Sequence, residues 1–432
     1  MFSTHEPEVL VVGAGPVGLL SALCLDEESI RVQIIDKERR PASHSYALAL
    51  HPRSLQVLAD LGIDPESIDQ TARVDTVAFY DSAGRRSEMK LGDLPVRYPY
   101  ALVIRQSRLE QLLEHELARR KIHVDWCHRL SEWTDTGTEL SATIEKVDAV
   151  STGYAVQVSE SQVVSRISRR PRFILGADGH HSIVRRRLGI DCETHGDPQV
   201  FGVFEFDSEA EPRNEIRVVL EHGRTNVLWP LPDGRARWSF QVETQGSAGE
   251  FRHKSRLAVQ VGPDYFPHLT PELLQDLVGT RAPWFGAADG TVYWSVLARF
   301  ERRLAHRYGD GRAWLAGDSA HLTGPVGVQS MNVGLLEARD LTRRMANCHR
   351  GQESLETFDA YDRRQREVWS RLLGTDRSAR PTEKAAQWVK EHWGEMVPCI
   401  PATGSEFCQL AAQVGLQYEE EGACDSPSPE AR

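Results

Sequence analysis

The chain has 432 residues, 40% of them hydrophobic and 26% charged, and its 51 Lys and Arg against 62 Asp and Glu give a net charge of −11. That length favours two or three structural units around a sizeable core, and the acidic balance argues against a nucleic-acid partner or an acidic membrane surface. No apolar stretch reaches the roughly 18 residues a membrane helix needs, no basic-then-apolar leader opens the chain, and seven scattered cysteines form no C-x-x-C pair, so a cytoplasmic protein with reduced thiols is expected.

Taken in chain order, Glu8 to Val12 reads as a buried strand. Gly13-Ala14-Gly15-Pro16-Val17-Gly18 follows at once and opens an apolar helix through Leu20 and Leu23. In this setting the first glycine permits a tight turn, the second lets backbone approach a pyrophosphate, and the third lets helix pack closely on strand. Pro16 suits a first helical turn, and the helix N-terminus then faces phosphate. A second strand, "RVQIID", ends at Asp36, close to the ~20-residue offset of the acid that grips a ribose diol. This pair of signals leaves NAD and FAD both open. Asp26, Glu27 and Glu28 oppose the helix dipole and are assigned to a solvated turn.

The pattern of strand, glycine and acid recurs twice. "RFILGADGHHSIVRRRLGI" runs from Arg172 into Asp178-Gly179 and a basic helical segment; Ala313 to Ala316 ends at Gly317-Asp318. One such break is an ordinary turn. Three imply that several strand ends meet at one extended ligand, because open α/β sheets place ligands at their carboxyl edges. A nicotinamide dinucleotide leaves the third break without a role, whereas the ribityl hydroxyls of a flavin dinucleotide need an acceptor of the Asp318 type. The loop after Asp318 is expected to present backbone N–H groups to negative charge on a reduced flavin, and "MNVGLLEARDLTRRM" to begin a helix with Leu335, Leu336, Ala338 and Leu341 on one buried face.

Between these breaks "ARWSFQV" alternates Trp238, Phe240 and Val242 against Arg237, Ser239 and Gln241, a half-buried antiparallel strand after a Pro232-Asp233-Gly234 turn. Its apolar face either lines a substrate pocket or packs a helix, and Trp229 is open in the same way. Thr382 to Trp393 and Ser405 to Ala412 read as helices, and residues 419–432 as a disordered tail. His180 and His181 lack a third ligand spaced for a metal site, Arg185 to Arg187 read as a solvated basic face, and Ser319 with His321 lacks the G-x-S-x-G of a hydrolase.

These residues resemble the FAD-dependent aromatic hydroxylases of the p-hydroxybenzoate hydroxylase type, single-component flavoprotein monooxygenases. The resemblance is carried by Gly13, Gly15 and Gly18 with Asp36, by Asp178-Gly179 within "GADG", and by "LAGDSAH" leading to Pro325, Gly327 and Asn332; "LHPRSLQVLADLGI" and "VIRQSRLEQLL" match more weakly. It covers the chain to about residue 375. It implies an α/β fold: a Rossmann-type FAD-binding domain (1–72, 101–198 and 291–375) with an inserted antiparallel-sheet substrate domain (73–100 and 199–290) and a C-terminal helical segment (376–418).

The resemblance also implies FAD as cofactor, NAD(P)H and O₂ as co-substrates, and an aromatic or polyketide-like small molecule hydroxylated through a flavin C4a-hydroperoxide. The cofactor-binding positions so implied are Gly13, Gly15, Pro16, Val17, Gly18, Asp36, Lys37 and Gln106, then Asp178, then Gly317, Asp318, Pro325, Gly327, Val328, Ser330, Met331 and Asn332. Asp36 belongs to the adenosine ribose, Asp318 to the ribityl chain, and Asp178 to a position linked to both flavin and pyridine nucleotide. No catalytic side chain is assigned. The chain departs from the family at Tyr46, where many relatives have arginine, and at Val328 and Ser330, which are usually glycine. Alternatives are an epoxidase, a Baeyer–Villiger oxygenase or a halogenase on the same fold, and, from another class, a redox-silent FAD-binding protein.

Overall fold

A computed structural model describes residues 6–39, 49–152, 158–208, 214–232, 234–242, 257–259, 269–286, 291–374 and 379–418. Its helices are α1 (Pro16–Glu27), α2 (Pro52–Asp60), α3 (Gln106–Arg119), α4 (Ile183–Arg187), α5 (Pro271–Arg281), α6 (Gln329–His349), α7 (Thr357–Leu372), α8 (Gln387–Met396) and α9 (Gly404–Gln413).

The strand Val9–Val12 is buried along its whole length, as its sequence of valines and leucine demands. It pairs in parallel with Phe173–Gly176 on one side and Val32–Asp36 on the other. Ala313–Leu315 continues the parallel sheet beyond Phe173–Gly176, and Val124–Trp126 continues it beyond Val32–Asp36. Gly309–Asp310 closes one edge in antiparallel pairing. The strands that precede the three acid breaks are therefore neighbours with a common direction, and their carboxyl ends share one edge. Helix α1 is apolar on every side, and Pro16 to Leu25 are all buried where it packs against α6 and α3.

A second sheet of eight strands runs in the order Leu257–Val259, Val292–Phe300, Gln199–Asp207, Arg235–Val242, Arg224–Leu231, Glu215–Glu221, Thr76–Asp81 and Gly84–Lys90. Among the described residues its pairings are antiparallel except that of Glu215–Glu221 with Thr76–Asp81. One face contributes Phe79, Val203, Val218, Val227 and Trp229 to the core shared with the parallel sheet. The opposite face, with Phe204, Leu228, Trp238 and Phe240, packs on Leu274, Leu277 and Val278 of α5. Trp238 and Phe240 thus cover a helix and line no pocket toward the parallel sheet. The other residues of the strand, Arg237 and Ser239, lie with Trp229 on the face toward the parallel sheet. Asp233, at the turn expected before this strand, lies outside the described residues, as do Tyr46 and residues 419–432.

The C-terminal helices α8 and α9 are held beside a two-stranded ladder of Ala379–Pro381 with Leu416–Tyr418. The first helix begins at Gln387, five residues later than the composition suggests, because Thr382 is tied to this ladder through its N–H to the Gly415 carbonyl and turns the chain at Ala385. Helix α9 packs on Gly84–Lys90 of the second sheet, while its Ser405 and Glu406 receive Arg53 of α2.

Cys24, Cys127, Cys192, Cys348 and Cys399 are free thiols. The expectation of reduced thiols throughout fails at Cys408, which is disulfide-bonded. Asp26, Glu27 and Glu28 form ion pairs with Arg120, Arg339 and Arg350 and are not a purely solvated turn. No helix of the described residues is long and apolar enough to cross a membrane.

Candidate cofactor site

The three glycines of the first turn meet three different surroundings. Gly13 has φ +107°, and a Cβ on it would lie 2.2 Å from the Ala177 carbonyl oxygen; a Cβ on Gly18 would lie 1.9 Å from the Gly13 carbonyl oxygen. Backbone therefore touches backbone between the first strand end, the second strand end and α1. A Cβ on Gly15 would meet nothing within 4 Å. That glycine faces open space, and Pro16 begins α1 immediately behind it. Asp36 spans the turn: its Oδ2 accepts the Ala14 N–H at 2.7 Å and its Oδ1 the Glu38 N–H at 2.8 Å. Each oxygen keeps a further lone pair. Lys37 is exposed beside Glu38.

Gln106 is the first residue of α3, and its Nε2 donates to Glu110 Oε1 at 2.7 Å, one turn along. Glu110 is 3% exposed and its Oε2 has no hydrogen-bond partner among the described residues. Burial pushes its carboxyl from 4.5 up to about 7; the Gln106 bond opposes this, and nearby Asp36 and Glu114 add to it. The folded chain thus keeps a proton that the unfolded chain releases, so this group weakens stability as pH rises from about 4.5 to 7 and has no further effect above. Glu110→Gln should become more stable relative to wild type by about 3 kcal/mol between pH 4.5 and 8. Urea unfolding of both proteins at the two pH values checks this, and a pH-independent difference contradicts it.

At the second break Asp178 is committed to the protein itself. Its carboxylate accepts the Ser182 hydroxyl and the N–H groups of Ile183 and Val184, capping the start of α4. Burial raises its proton affinity while these donors oppose the rise. Arg185 is no free basic face: its Nη1 reaches the Ser319 carbonyl at 2.6 Å and its Nη2 the His180 carbonyl at 2.9 Å, joining the second break to the third. The rings of His180 and His181 do not diverge, with centroids 4.0 Å apart, yet the described residues contain no group of His, Cys, Asp and Glu able to hold a metal.

At the third break Gly317 has φ +66°. Its Cβ position, and that of Gly334 in α6, would each fall within 3 Å of a Val17 methyl, so α1, the Gly317–Ser319 turn and α6 close on one another. Asp318 stands partly exposed in this turn. Beyond it come Pro325, partly exposed, and Gly327, whose Cβ position lies 2.3 Å from the Pro398 carbonyl oxygen. The C-terminal segment therefore backs the loop, and Gln329 donates to the Ile400 carbonyl. Ser330 accepts the Thr323 N–H at 3.2 Å, and Met331 is buried. Helix α6 starts without any side-chain cap, leaving its first N–H groups for another partner.

Asn332, 1% exposed, is a tie between distant segments. Its Oδ1 accepts the His51 N–H at 2.7 Å, and its Nδ2 donates to the Ala49 and Val328 carbonyls at 2.8 and 2.9 Å. His51 Nε2–H in turn donates to the Gly327 carbonyl at 3.0 Å. Burial lowers the His51 pKa to about 3, so the ring is neutral, and folding strength contributed here is lost as pH falls below about 6.5.

Val328 sits at φ +49°, in the left-handed region that favours glycine, and is 6% exposed. A β-branched residue in this region carries about 1–2 kcal/mol of strain. Val328→Ala loses buried methyls and keeps the strain, whereas Val328→Gly relieves it. The glycine variant should therefore be at least as stable as the alanine variant in thermal unfolding, the reverse of the order at an unstrained position.

Above this edge, on the face of the second sheet toward the parallel sheet, buried Glu205 takes both Arg237 and Arg105. Burial works against its charge, but the two guanidinium groups hold its carboxyl below the usual range. Arg105 immediately precedes Gln106, so this pair fastens the second sheet to the site's rim.

An open parallel sheet with a glycine turn and two further strand ends converging at its carboxyl edge, covered by a mainly antiparallel sheet, defines a dinucleotide-binding α/β protein of the flavoprotein type. Residues 6–375 match the family described as the FAD binding domain, and the chain belongs to that family. It is 30% identical over 380 residues to 6-methylpretetramide 4-monooxygenase of Streptomyces rimosus, covering 86% of this chain and 61% of the relative. With pentachlorophenol 4-monooxygenase of Sphingobium chlorophenolicum the identity is 27% over 376 residues, 85% of this chain and 63% of the relative. The chain thus spans about three fifths of the length of these curated relatives. A solved p-nitrophenol 4-monooxygenase from Pseudomonas putida DLL-E4 shares the fold, with TM-score 0.69 at 19% identity over 90% of this chain and 93% of the other. The donor set fits the family's cofactor: Gly15 leaves open the approach a pyrophosphate needs, and α6 offers uncapped N–H groups.

Proposed function

We propose that the protein is an FAD-dependent monooxygenase that uses NAD(P)H and O₂ to hydroxylate an aromatic or polyketide-like small molecule. The observation that carries this is the meeting of three strand ends at one edge beneath a largely apolar sheet face. The named oxygenases among its relatives support the same reaction class. Bound FAD would supply the hydride acceptance and oxygen activation. The chain's own share is to bind, orient and exclude water. Asp36, already fixed by Ala14 and Glu38, offers its remaining lone pairs to the adenosine ribose, and Asp318 takes the ribityl hydroxyls. The α6 N-terminus favours negative charge on the ring. The eight-stranded sheet is the substrate-covering unit, and it extends past the expected boundary at 290 because Val292–Phe300 pairs with Gln199–Asp207; Trp229, Val227 and Val203 are turned toward the nucleotide sheet to keep the site dry. No nucleic acid or membrane is required as a partner.

The test is to load the protein with FAD, mix it anaerobically with NADH and with NADPH, then admit ¹⁸O₂ in the presence of phenolic and polyketide-like compounds. Flavin bleaching followed by one ¹⁸O atom in a product supports the proposal. Persistent oxidised flavin with either nucleotide leaves a redox-silent FAD-binding protein. Bleaching and reoxidation without labelled product across the compound set make it a reductase.

A further inference from the structure

We infer that Glu337, near the middle of α6, is a positioning residue that sets Asp318 for the cofactor's ribityl chain; the inference rests on the FAD reading of the site. Its side chain is 0% exposed, as is that of His321. Glu337 Oε2 accepts the Gly317 N–H at 2.8 Å and His321 Nε2–H at 2.8 Å, and Oε1 accepts Trp369 Nε1–H at 3.2 Å. His321 is itself clamped, its ring stacked on Trp369 with centroids 3.9 Å apart.

The bond to Gly317 matters because Gly317 is the residue before Asp318 and the left-handed corner of the turn. The turn's other end is held independently, by Ala320 N–H on the Gly317 carbonyl and by the Ser319 hydroxyl on the Gly176 and Ala316 carbonyls. Val17 blocks any slide toward α1. Asp318 lies between two fixed points, and Glu337 supplies the first.

Three N–H donors converge on Glu337, and only a carboxylate has acceptors on both of its terminal atoms. Glutamine can still place its oxygen toward Gly317 and His321 and turn its N–H₂ to Trp369, whereas methionine, of similar length, leaves all three donors without an acceptor in a buried space. His321 and Trp369 are fixed by stacking and by core packing, whereas the Gly317 peptide belongs to a loop. The mismatch is therefore relieved by displacement of that peptide, and Asp318 moves with it.

FAD-free Glu337→Met and wild-type chains should be titrated with FAD, with ADP as competitor for the adenosine half, alongside thermal unfolding. The expected result is an FAD Kd raised at least tenfold with the ADP inhibition constant within twofold of wild type. An unchanged FAD Kd with a lowered Tm would reduce Glu337 to a packing role, and equal weakening of FAD and ADP would show general loosening; either overturns the inference. If Glu337→Met does not fold, Trp369→Phe removes one donor and keeps the stacked ring, and a shift of at least threefold in the FAD-to-ADP ratio is expected, an unchanged ratio overturning it. A folded wild-type chain that takes up no FAD removes the cofactor reading itself, and this inference with it.

Discussion

Gly18→Ala should lower the stability of the protein by about 3 kcal/mol and leave it unable to hold FAD. The added Cβ falls 1.9 Å from the Gly13 carbonyl oxygen and 2.9 Å from its carbon, and both belong to backbone that has no side-chain freedom to withdraw. Overpacking costs typically about 1–3 kcal/mol and more when backbone must move. Alanine's better helix propensity returns about 1 kcal/mol, too little to reverse the sign. Because Pro16 to Leu25 are buried on all sides, α1 has no solvent face toward which to tilt. Gly15→Ala is the matched control, since its Cβ meets nothing. Chemical denaturation should find Gly15→Ala within about 1 kcal/mol of wild type and Gly18→Ala far below it.

Asn332→Leu, similar in volume, should cost about 3–4 kcal/mol and loosen the loop from Gly327 to Val328. The substitution leaves the buried His51 N–H without its acceptor and the Ala49 and Val328 carbonyls without the amide donor. An unsatisfied buried donor costs about 1–3 kcal/mol by itself, and the two carbonyls add to it. The gain from burying an apolar side chain at a 1%-exposed position is smaller, because the asparagine was already packed there. Among the described residues, what remains between the two segments is the His51–Gly327 bond. Thermal unfolding and the FAD Kd should both shift; a wild-type Tm would mean that the three bonds contribute little.

The readable parts of this fold are those written in consecutive residues. The glycine turn, Asp36 and the two later strand ends each announce themselves through a short apolar run that stops at glycine and acid, and the argument that they meet needs only the rule that parallel strands share a carboxyl edge. The tie at Asn332 could not be read in this way, since His51 and Ala49 lie more than 280 positions upstream and an asparagine at a helix start has many ordinary uses. Glu337 and Glu110 were hidden for a related reason: an acid at helical spacing usually points to water, and only burial shows otherwise. Glu110 left one trace, its i,i+4 offset from Gln106.

For Trp238 the alternation correctly grouped it with Phe240 on one face, but period two does not say which face meets α5 and which meets the parallel sheet. Asp178 shows the converse limit. Its place at a strand end is as expected, yet its oxygens cap α4, a use that the motif alone does not distinguish from ligand binding.

The central claim is that the glycine turn and the Asp318 loop belong to one flavin site, and equilibrium titration of FAD-free wild type and Gly15→Ala with FAD tests it most directly. One FAD per wild-type chain, with affinity at least a hundredfold weaker in a normally folded Gly15→Ala, is the predicted result. A folded wild type that takes up no FAD, or a Gly15→Ala chain that binds it as tightly as wild type, would contradict the claim.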